Sequence, residues 1–216
     1  YGFLAENAEF VDICHNNGIV FIGPSPDNIR VMGDKNEARE TCRRIGVPLV
    51  PGSDGCVTDL DTAEKTAATI GYPILIKAVA GGGGKGMRIV HKPGELKQAL
   101  EATAREAKSY FGDESVYIER YLEEPRHIEI QVIGDHHENM VHLYERECSL
   151  QRRYQKIVEE SPSPTLNQAV RRKMGETAVK LALSIGYYNA GTIEFLVDKN
   201  LNYYFLEMNT RIQVEH

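Results

Sequence analysis

The sequence predicts an α+β protein, and three observations predict it. Between residues 50 and 121 the order strand, glycine loop, strand, helix, strand suits a small mobile α+β lid. From Arg126 the pattern changes to three strand-like runs with no helix between them, which reads as consecutive antiparallel strands. The last two runs, Gly191–Val197 and Asn202–Met208, are close enough in sequence to pair as a hairpin, which would let Glu194 face Glu207.

Taken in order, residues 5–17 read as a helix with Phe10, Ile13 and Cys14 on one face, stopped by Gly18. Ile19–Ile22 reads as a short buried strand, and Gly23-Pro24-Ser25-Pro26 breaks the chain. Asp27 is expected to cap a short helix through Met32, and Lys35–Ile45 forms another, closed by Gly46. The proline-marked stretch Val47–Gly52 reads as extended and as a hinge into a separate lobe. Thr62–Ile70 is a helix ended by Gly71, Pro73–Ala78 and Met87–Val90 are strands, Glu95–Ser109 is a long amphipathic helix, and Ser115–Glu119 is a strand. Then follow strands at His127–Ile133, Met140–Arg146 and Lys156–Glu160, a helix over Asn167–Ile185, and the closing pair. No internal repeat is visible.

Composition bounds the function. With 216 residues, 42% hydrophobic and 26% charged, there is room for one large domain or two small ones. A net charge of -6 argues against a general nucleic-acid or membrane-surface binder. No apolar run reaches the roughly 20 residues a membrane helix needs, and no signal peptide is visible. Cys14, Cys42, Cys56 and Cys148 lack metal-ligand spacing and read as free thiols of a reducing cytoplasm. His136-His137 sits in a turn and reads as solvated. The chain opens at Tyr1 without a methionine, and both ends look cut out of a longer protein.

The richest stretch is 205–216, FLEMNTRIQVEH. Glu207 and Asn209, two apart on a strand, put oxygen ligands on one face, and Arg211, Gln213 and Glu215 continue the alternation. Burying that many polar groups needs partners, and a hard cation and an anionic substrate are the natural ones; the bland alternative is a solvated edge strand. Glu194, mid-strand in Thr192–Leu196, is costly alone, but opposite Glu207 and with Asn209 it suits Mg²⁺ bridging nucleotide phosphates.

The second signal is Lys77-Ala-Val-Ala followed by Gly81–Gly84, Lys85 and Gly86. Glycines let backbone N–H groups close over phosphate oxygens. The loop joins two strands, so it is no Walker A motif and reads as a flap over phosphates, or else as a flexible hairpin tip. Gln151–Lys156 is a basic patch that serves an anion or is a solvated face balanced by Glu159 and Glu160.

Together YGFLAEN, FIGPSP, MGDK, KAVAGGGGKGM, PRHIEIQV, QRRYQK, EESPSP and EMNTRIQVEH, in this order, resemble the biotin carboxylase component of acetyl-CoA, propionyl-CoA, methylcrotonyl-CoA and pyruvate carboxylases, in the ATP-grasp superfamily. The resemblance covers essentially the whole chain. It implies that residues 1–48 are the tail of a Rossmann-like α/β N-terminal lobe with connecting helices, 49–121 the mobile lid, and 122–216 the first part of the catalytic subdomain. It implies that Lys35 and Lys77 contact ATP phosphates, that Gly83 and Gly84 are flap glycines, and that Glu119, Arg120, Tyr121 and Leu122 hold the adenine. His127 and Gln151 then line the ribose and phosphate side, with Tyr154 beside them where many members have histidine. Glu194, Glu207 and Asn209 match divalent-metal ligands for Mg²⁺ or Mn²⁺. Lys156, Arg211, Gln213 and Val214 match the bicarbonate pocket, and Glu215 the general base.

The implied reaction is ATP-dependent carboxylation of biotin on a biotin carboxyl carrier protein, with bicarbonate, through carboxyphosphate. A carboxyltransferase partner, a homodimeric full-length protein, and a cytoplasmic location (the mitochondrial matrix in a eukaryote) follow from the same resemblance, as does a place in fatty acid biosynthesis for the acetyl-CoA type. No nucleic acid or membrane partner is expected. The 216 residues alone are expected to be a poor enzyme or none, because the family's first lobe and a later arginine are missing. The rival readings are a carbamoyl-phosphate or amino-ligase enzyme of the same superfamily, and a non-catalytic nucleotide-binding piece.

Overall fold

Local sequence accounts for most element ends in the computed structural model, which describes residues 2–79, 86–153 and 155–215. Helix α1 (Ala8–Asn16) starts where the Asn7 side chain accepts from the Phe10 N–H. It buries Val11 and Cys14, while Ile13, expected on the inner face, is exposed. Helix α2 (Pro26–Gly33) is capped by the Ser25 hydroxyl rather than by Asp27, which sits in the first turn beside the helix N-terminus. Asp34 caps α3 (Lys35–Ile45), and Gly46 ends it at φ 73°, a left-handed conformation that costs glycine little. Lys180 Nζ donates to the Ile45 carbonyl, one of the orphan acceptors of that helix end.

The expected buried strand at Ile19–Ile22 does not form. Val20 and Ile22 are 87% and 88% exposed, and no described strand pairs with this segment. A strand needs a neighbour for its backbone N–H and C=O groups, which the local pattern cannot supply.

The chain divides into two compact units. The second unit, residues 50–123 with 152–155, holds α4 (Leu60–Ile70), β1 (Ile74–Ala78), β2 (Met87–Val90), α5 (Leu96–Phe111) and β3 (Val116–Arg120). Its three strands form an antiparallel sheet in the order β2-β1-β3. Ile74, Ile76 and Ala78 alternate inward, and Leu96, Ala99, Thr103 and Ala107 of α5 recur at three- and four-residue spacing over the same core. Leu75, Lys77, Tyr117 and Glu119 are left on the other face.

The first unit, residues 1–49, 124–151 and 156–216, holds the longer strands. These are β4 (Arg126–Gly134), β5 (Met140–Arg152), β6 (Gln155–Glu160), β7 (Asn189–Val197) and β8 (Tyr203–Asn209), with α6 (Gln168–Ser184) after β6. The sheet order is β6-β5-β4-β7-β8. Ile128, Ile130, Val132, Ile193, Phe195, Val197, Phe205 and Met208 cover one face and meet Met174, Ala178 and Leu181 of α6. Gly175 lets α6 approach closely, since a Cβ there would lie 2.5 Å from the His142 ring. The α+β class expected from the sequence is the class observed.

Candidate functional site

The second face of the five-stranded sheet carries the chemistry. On β4, His127, Glu129 and Gln131 alternate with Ile128, Ile130 and Val132, which point into the core. The register places Arg146, Glu129, Glu194 and Glu207 in one row across β5, β4, β7 and β8. Three carboxylates side by side repel one another unless cations join them. Two cations do. Arg146 Nε donates to Glu129 Oε1, and Lys156 of β6 donates to Glu129 Oε2 and, at 3.0 Å, to Glu194 Oε1.

Glu194 is the most heavily partnered of the three. Its Oε2 lies 2.6 Å from His127 Nε2, and its Oε1 also accepts from Asn209 Nδ2 at 2.7 Å. The Gln151 amide donates to His127 Nδ1 at 3.0 Å, so the other ring nitrogen carries the hydrogen that Glu194 accepts. Burial would raise the Glu194 carboxyl, but the His127 hydrogen bond and the Lys156 ammonium prevail and hold it at about 2. Burial works against the Lys156 ammonium as well, and Glu194 and Glu129 hold it above its ordinary range. Burial and then the charge of Glu129 push the Cys148 thiol up, so it stays protonated among these ions.

Glu207 faces Glu194 across the β7–β8 hairpin, as the spacing predicted. A bulge at Leu206 makes this possible: Phe205 pairs with Phe195 in the core, and Glu207 two residues on pairs with Glu194 on the opposite face. Burial and the Glu194 charge push the Glu207 carboxyl up, with Lys35 and Lys156 pulling the other way. A divalent cation between these carboxylates would relieve that repulsion, and the all-oxygen donors of Glu194, Glu207 and Asn209 suit a hard ion such as Mg²⁺.

Beyond Asn209 the expected alternation fails. Strand β8 ends there, and residues 210–215 are not strand, so Arg211, Gln213 and Glu215 are not one face of a ladder. Glu6 holds the turn instead, accepting from the Thr210 N–H at 2.9 Å and from Arg211 Nε at 3.1 Å. Arg211 also donates to Asn209 Oδ1 at 3.3 Å. Gln213 is buried and accepts from Arg146 at 3.3 Å, whereas Val214 is exposed. Glu215 interacts with Glu159, whose carboxyl burial and the Glu215 charge push up.

In the second unit, Lys77 Nζ lies 2.8 Å from Glu119 Oε1 and over the Tyr117 ring. Burial lowers this ammonium's proton affinity, but the Glu119 carboxylate more than offsets it and holds it above its ordinary value. The Arg120 side chain donates to the Ile70 carbonyl at 3.0 Å, the Tyr121 N–H to Pro73 at 3.0 Å, and Leu122 is half-buried. Gly83, Gly84 and Tyr154 lie outside the described residues. Of the predicted residues, Lys77 and Glu119 share the outer face of the second unit's sheet, and His127, Glu194, Glu207 and Asn209 share the outer face of the first unit's sheet. Lys35 instead starts α3, Arg120 turns to the Ile70 carbonyl, and Arg211, Gln213, Val214 and Glu215 follow the end of β8. Sequence reasoning missed Glu129, Arg146 and Glu6. The signal for Glu129 was present, a carboxylate between Ile128 and Ile130 much as Glu194 stands between Ile193 and Phe195; Arg146 and Glu6 have partners far away in sequence and no local signal.

The family model described as carbamoyl-phosphate synthase L chain, ATP binding domain, matches residues 34–216, and that described as biotin carboxylase, N-terminal domain, matches residues 1–29. Biotin carboxylase 2, chloroplastic, of Populus trichocarpa is 56% identical over 216 residues, covering 100% of this chain and 41% of the poplar protein. The structure of a biotin carboxylase–β-γ-ATP complex from Campylobacter jejuni is 53% identical with a TM-score of 0.91, over 100% of this chain and 48% of that one. The biotin carboxylase domain dimer of Hydrogenobacter thermophilus 2-oxoglutarate carboxylase, in complex with MgADP, ADP and bicarbonate, is 52% identical with a TM-score of 0.89, over 100% of this chain and 48% of that one. The chain thus spans less than half the length of these relatives. With one family model running from residue 34 to 216 and more than half of all positions identical to biotin carboxylases, the chain belongs to the carbamoyl-phosphate synthase L chain ATP-binding family and, within the ATP-grasp superfamily, to its biotin carboxylase branch.

Proposed function

We propose that the protein carrying this chain carboxylates biotin on a carrier protein, using ATP and bicarbonate, and that these residues provide the nucleotide and bicarbonate sites. The observation that carries the reading is the row Arg146–Glu129–Glu194–Glu207 with Lys156 across it, in a chain this similar to biotin carboxylases. Paired oxygen ligands beside fixed cations are what phosphoryl transfer to a small anion requires.

In this reading Lys77 and Lys35 contact ATP phosphates, Gly83 and Gly84 close over them, and Glu119–Leu122 hold the adenine. His127, Gln151 and Tyr154 border the ribose and phosphates. Residues 49–121 act as the lid. Glu194, Glu207 and Asn209 hold Mg²⁺, which when bound neutralises charge on the phosphates. Arg211, Gln213, Lys156 and the Val214 backbone hold bicarbonate. Glu215 takes the bicarbonate proton, a bicarbonate oxygen attacks the γ-phosphate, and carboxyphosphate and ADP result. Carboxyphosphate releases CO₂, and the freed phosphate deprotonates biotin N1, which attacks the CO₂. A biotin carboxyl carrier, a carboxyltransferase, a homodimer, and a cytoplasmic or matrix location belong to the same proposal.

The test is ATP cleavage by the full-length protein with and without bicarbonate and free biotin. Cleavage that requires bicarbonate and is stimulated by biotin supports the reading. The description of the family model over residues 34–216 favours one rival, a carbamoyl-phosphate type of ligase. Cleavage that needs an ammonia donor and ignores biotin would establish that rival instead.

A further inference from the structure

We propose that Arg146 is a positioning residue for bicarbonate: it sets both walls of the anion pocket, Gln213 directly and Lys156 through Glu129. The proposal rests on the reading of Lys156 and Gln213 as bicarbonate groups. The Arg146 side chain is 11% exposed and lies against a Glu129 side chain that is 0% exposed. Its Nε donates to Glu129 Oε1, one Nη donates to Gln131 Oε1 at 3.0 Å, and the other Nη donates to Thr192 Oγ1 and to Gln213 Oε1, each at 3.3 Å. A planar guanidinium can donate in these directions at once, whereas an ammonium cannot hold the same fork.

Two consequences reach the anion. First, Gln213 stands in the stretch after β8 that no strand ladder orders. With its carbonyl oxygen accepting from Arg146, the amide is oriented and its NH₂ end is the donor left for an anion. Second, Glu129 divides its two oxygens between Arg146 and Lys156. Arg146, Lys156, Glu129 and Glu194 together sum to zero charge. Without Arg146, two carboxylates share one ammonium, the cluster is negative, and Lys156 is held by them rather than available to bicarbonate.

The test uses the full-length protein and bicarbonate-dependent ATP cleavage. Arg146→Lys keeps the charge and loses the fork. It should raise the KM for bicarbonate about tenfold, the loss of one or two hydrogen bonds, with the KM for ATP changed less than about threefold. Gln213→Ala should add little further in the Arg146→Lys background, since the same contact is already gone. A structural role alone would lower kcat and melting temperature without that KM split. Should Arg146→Lys not fold, Arg146→Gln combined with Glu129→Gln leaves no unpaired buried charge and should still raise the bicarbonate KM. A wild-type bicarbonate KM in whichever of these variants folds, or fully multiplicative effects with Gln213→Ala, overturns the proposal. Lys156→Met and Gln213→Ala alone locate the failure. If neither raises the bicarbonate KM, the pocket assignment is wrong and the proposal falls with it; if both do and the Arg146 variants do not, Arg146 alone is excluded.

Discussion

Lys156→Met removes the ammonium that joins two buried carboxylates and keeps a side chain of similar length. Nζ stands 3.0 Å from Glu194, and the side chains are 17% exposed for Lys156, 5% for Glu194 and 0% for Glu129. At an effective dielectric constant of about 20, unit charges so placed attract by about 5 kcal/mol, part of which desolvation cancels. Removing one partner leaves a buried charge uncompensated, and such losses run to about 3–5 kcal/mol. The Lys156 ammonium is held above its ordinary 10.5, since the carboxylates outweigh burial. A raised base stabilises fully below its unfolded value and loses that contribution only as pH climbs through the folded one, so the loss should be the same at about pH 6 and pH 9. Guanidinium unfolding of the full-length protein, followed by circular dichroism, measures it. Adding Glu129→Gln removes the excess negative charge and should recover more than half of the stability. Bicarbonate-dependent ATP cleavage should not return, because the ammonium is still missing. A double variant no more stable than Lys156→Met would refute the charge-balance argument.

Glu215→Gln in the full-length protein should lower bicarbonate-dependent ATP cleavage by about 10²–10⁴-fold while nucleotide binding, read by calorimetry, survives; near-normal turnover would remove Glu215 from the base role. Lys77→Ala should weaken ATP more than adenosine in the same titration, because an ammonium serves phosphate and not base recognition. Phe195→Ala, at a fully buried ring packed edge-on to Tyr203 at 5.6 Å, should cost about 3–5 kcal/mol in unfolding experiments. Glu159→Gln should stabilise at neutral pH: burial and Glu215 raise the Glu159 carboxyl, so the native state favours its protonated form. That preference stabilises below the ordinary 4.5 and is lost as pH rises through the folded value, so the variant's advantage should vanish below about pH 4.

Features set by neighbours along the chain were legible in the sequence. Asp34 and Gly46 bound α3, with both ends where the residue types put them. The carboxylate at 194 announced itself because an acid inside an apolar strand run has no cheap explanation. The same test applied to His127–Val132 would have found Glu129. What the tertiary structure decided is which strands lie side by side, and in what register. Strict alternation places Phe205 and Glu207 on one face; the pairing of β8 with β7 inserts Leu206 as a bulge and sends them to opposite faces. Ile19–Ile22 has the composition of a strand and no described partner to make it one. Arg146 meets Gln213, and Glu6 meets Arg211, across separations of 67 and 205 residues. Periodicity records only the local pleat of a strand, whereas hydrogen-bonded register and long-range ion pairs arise when distant segments bury their apolar faces together.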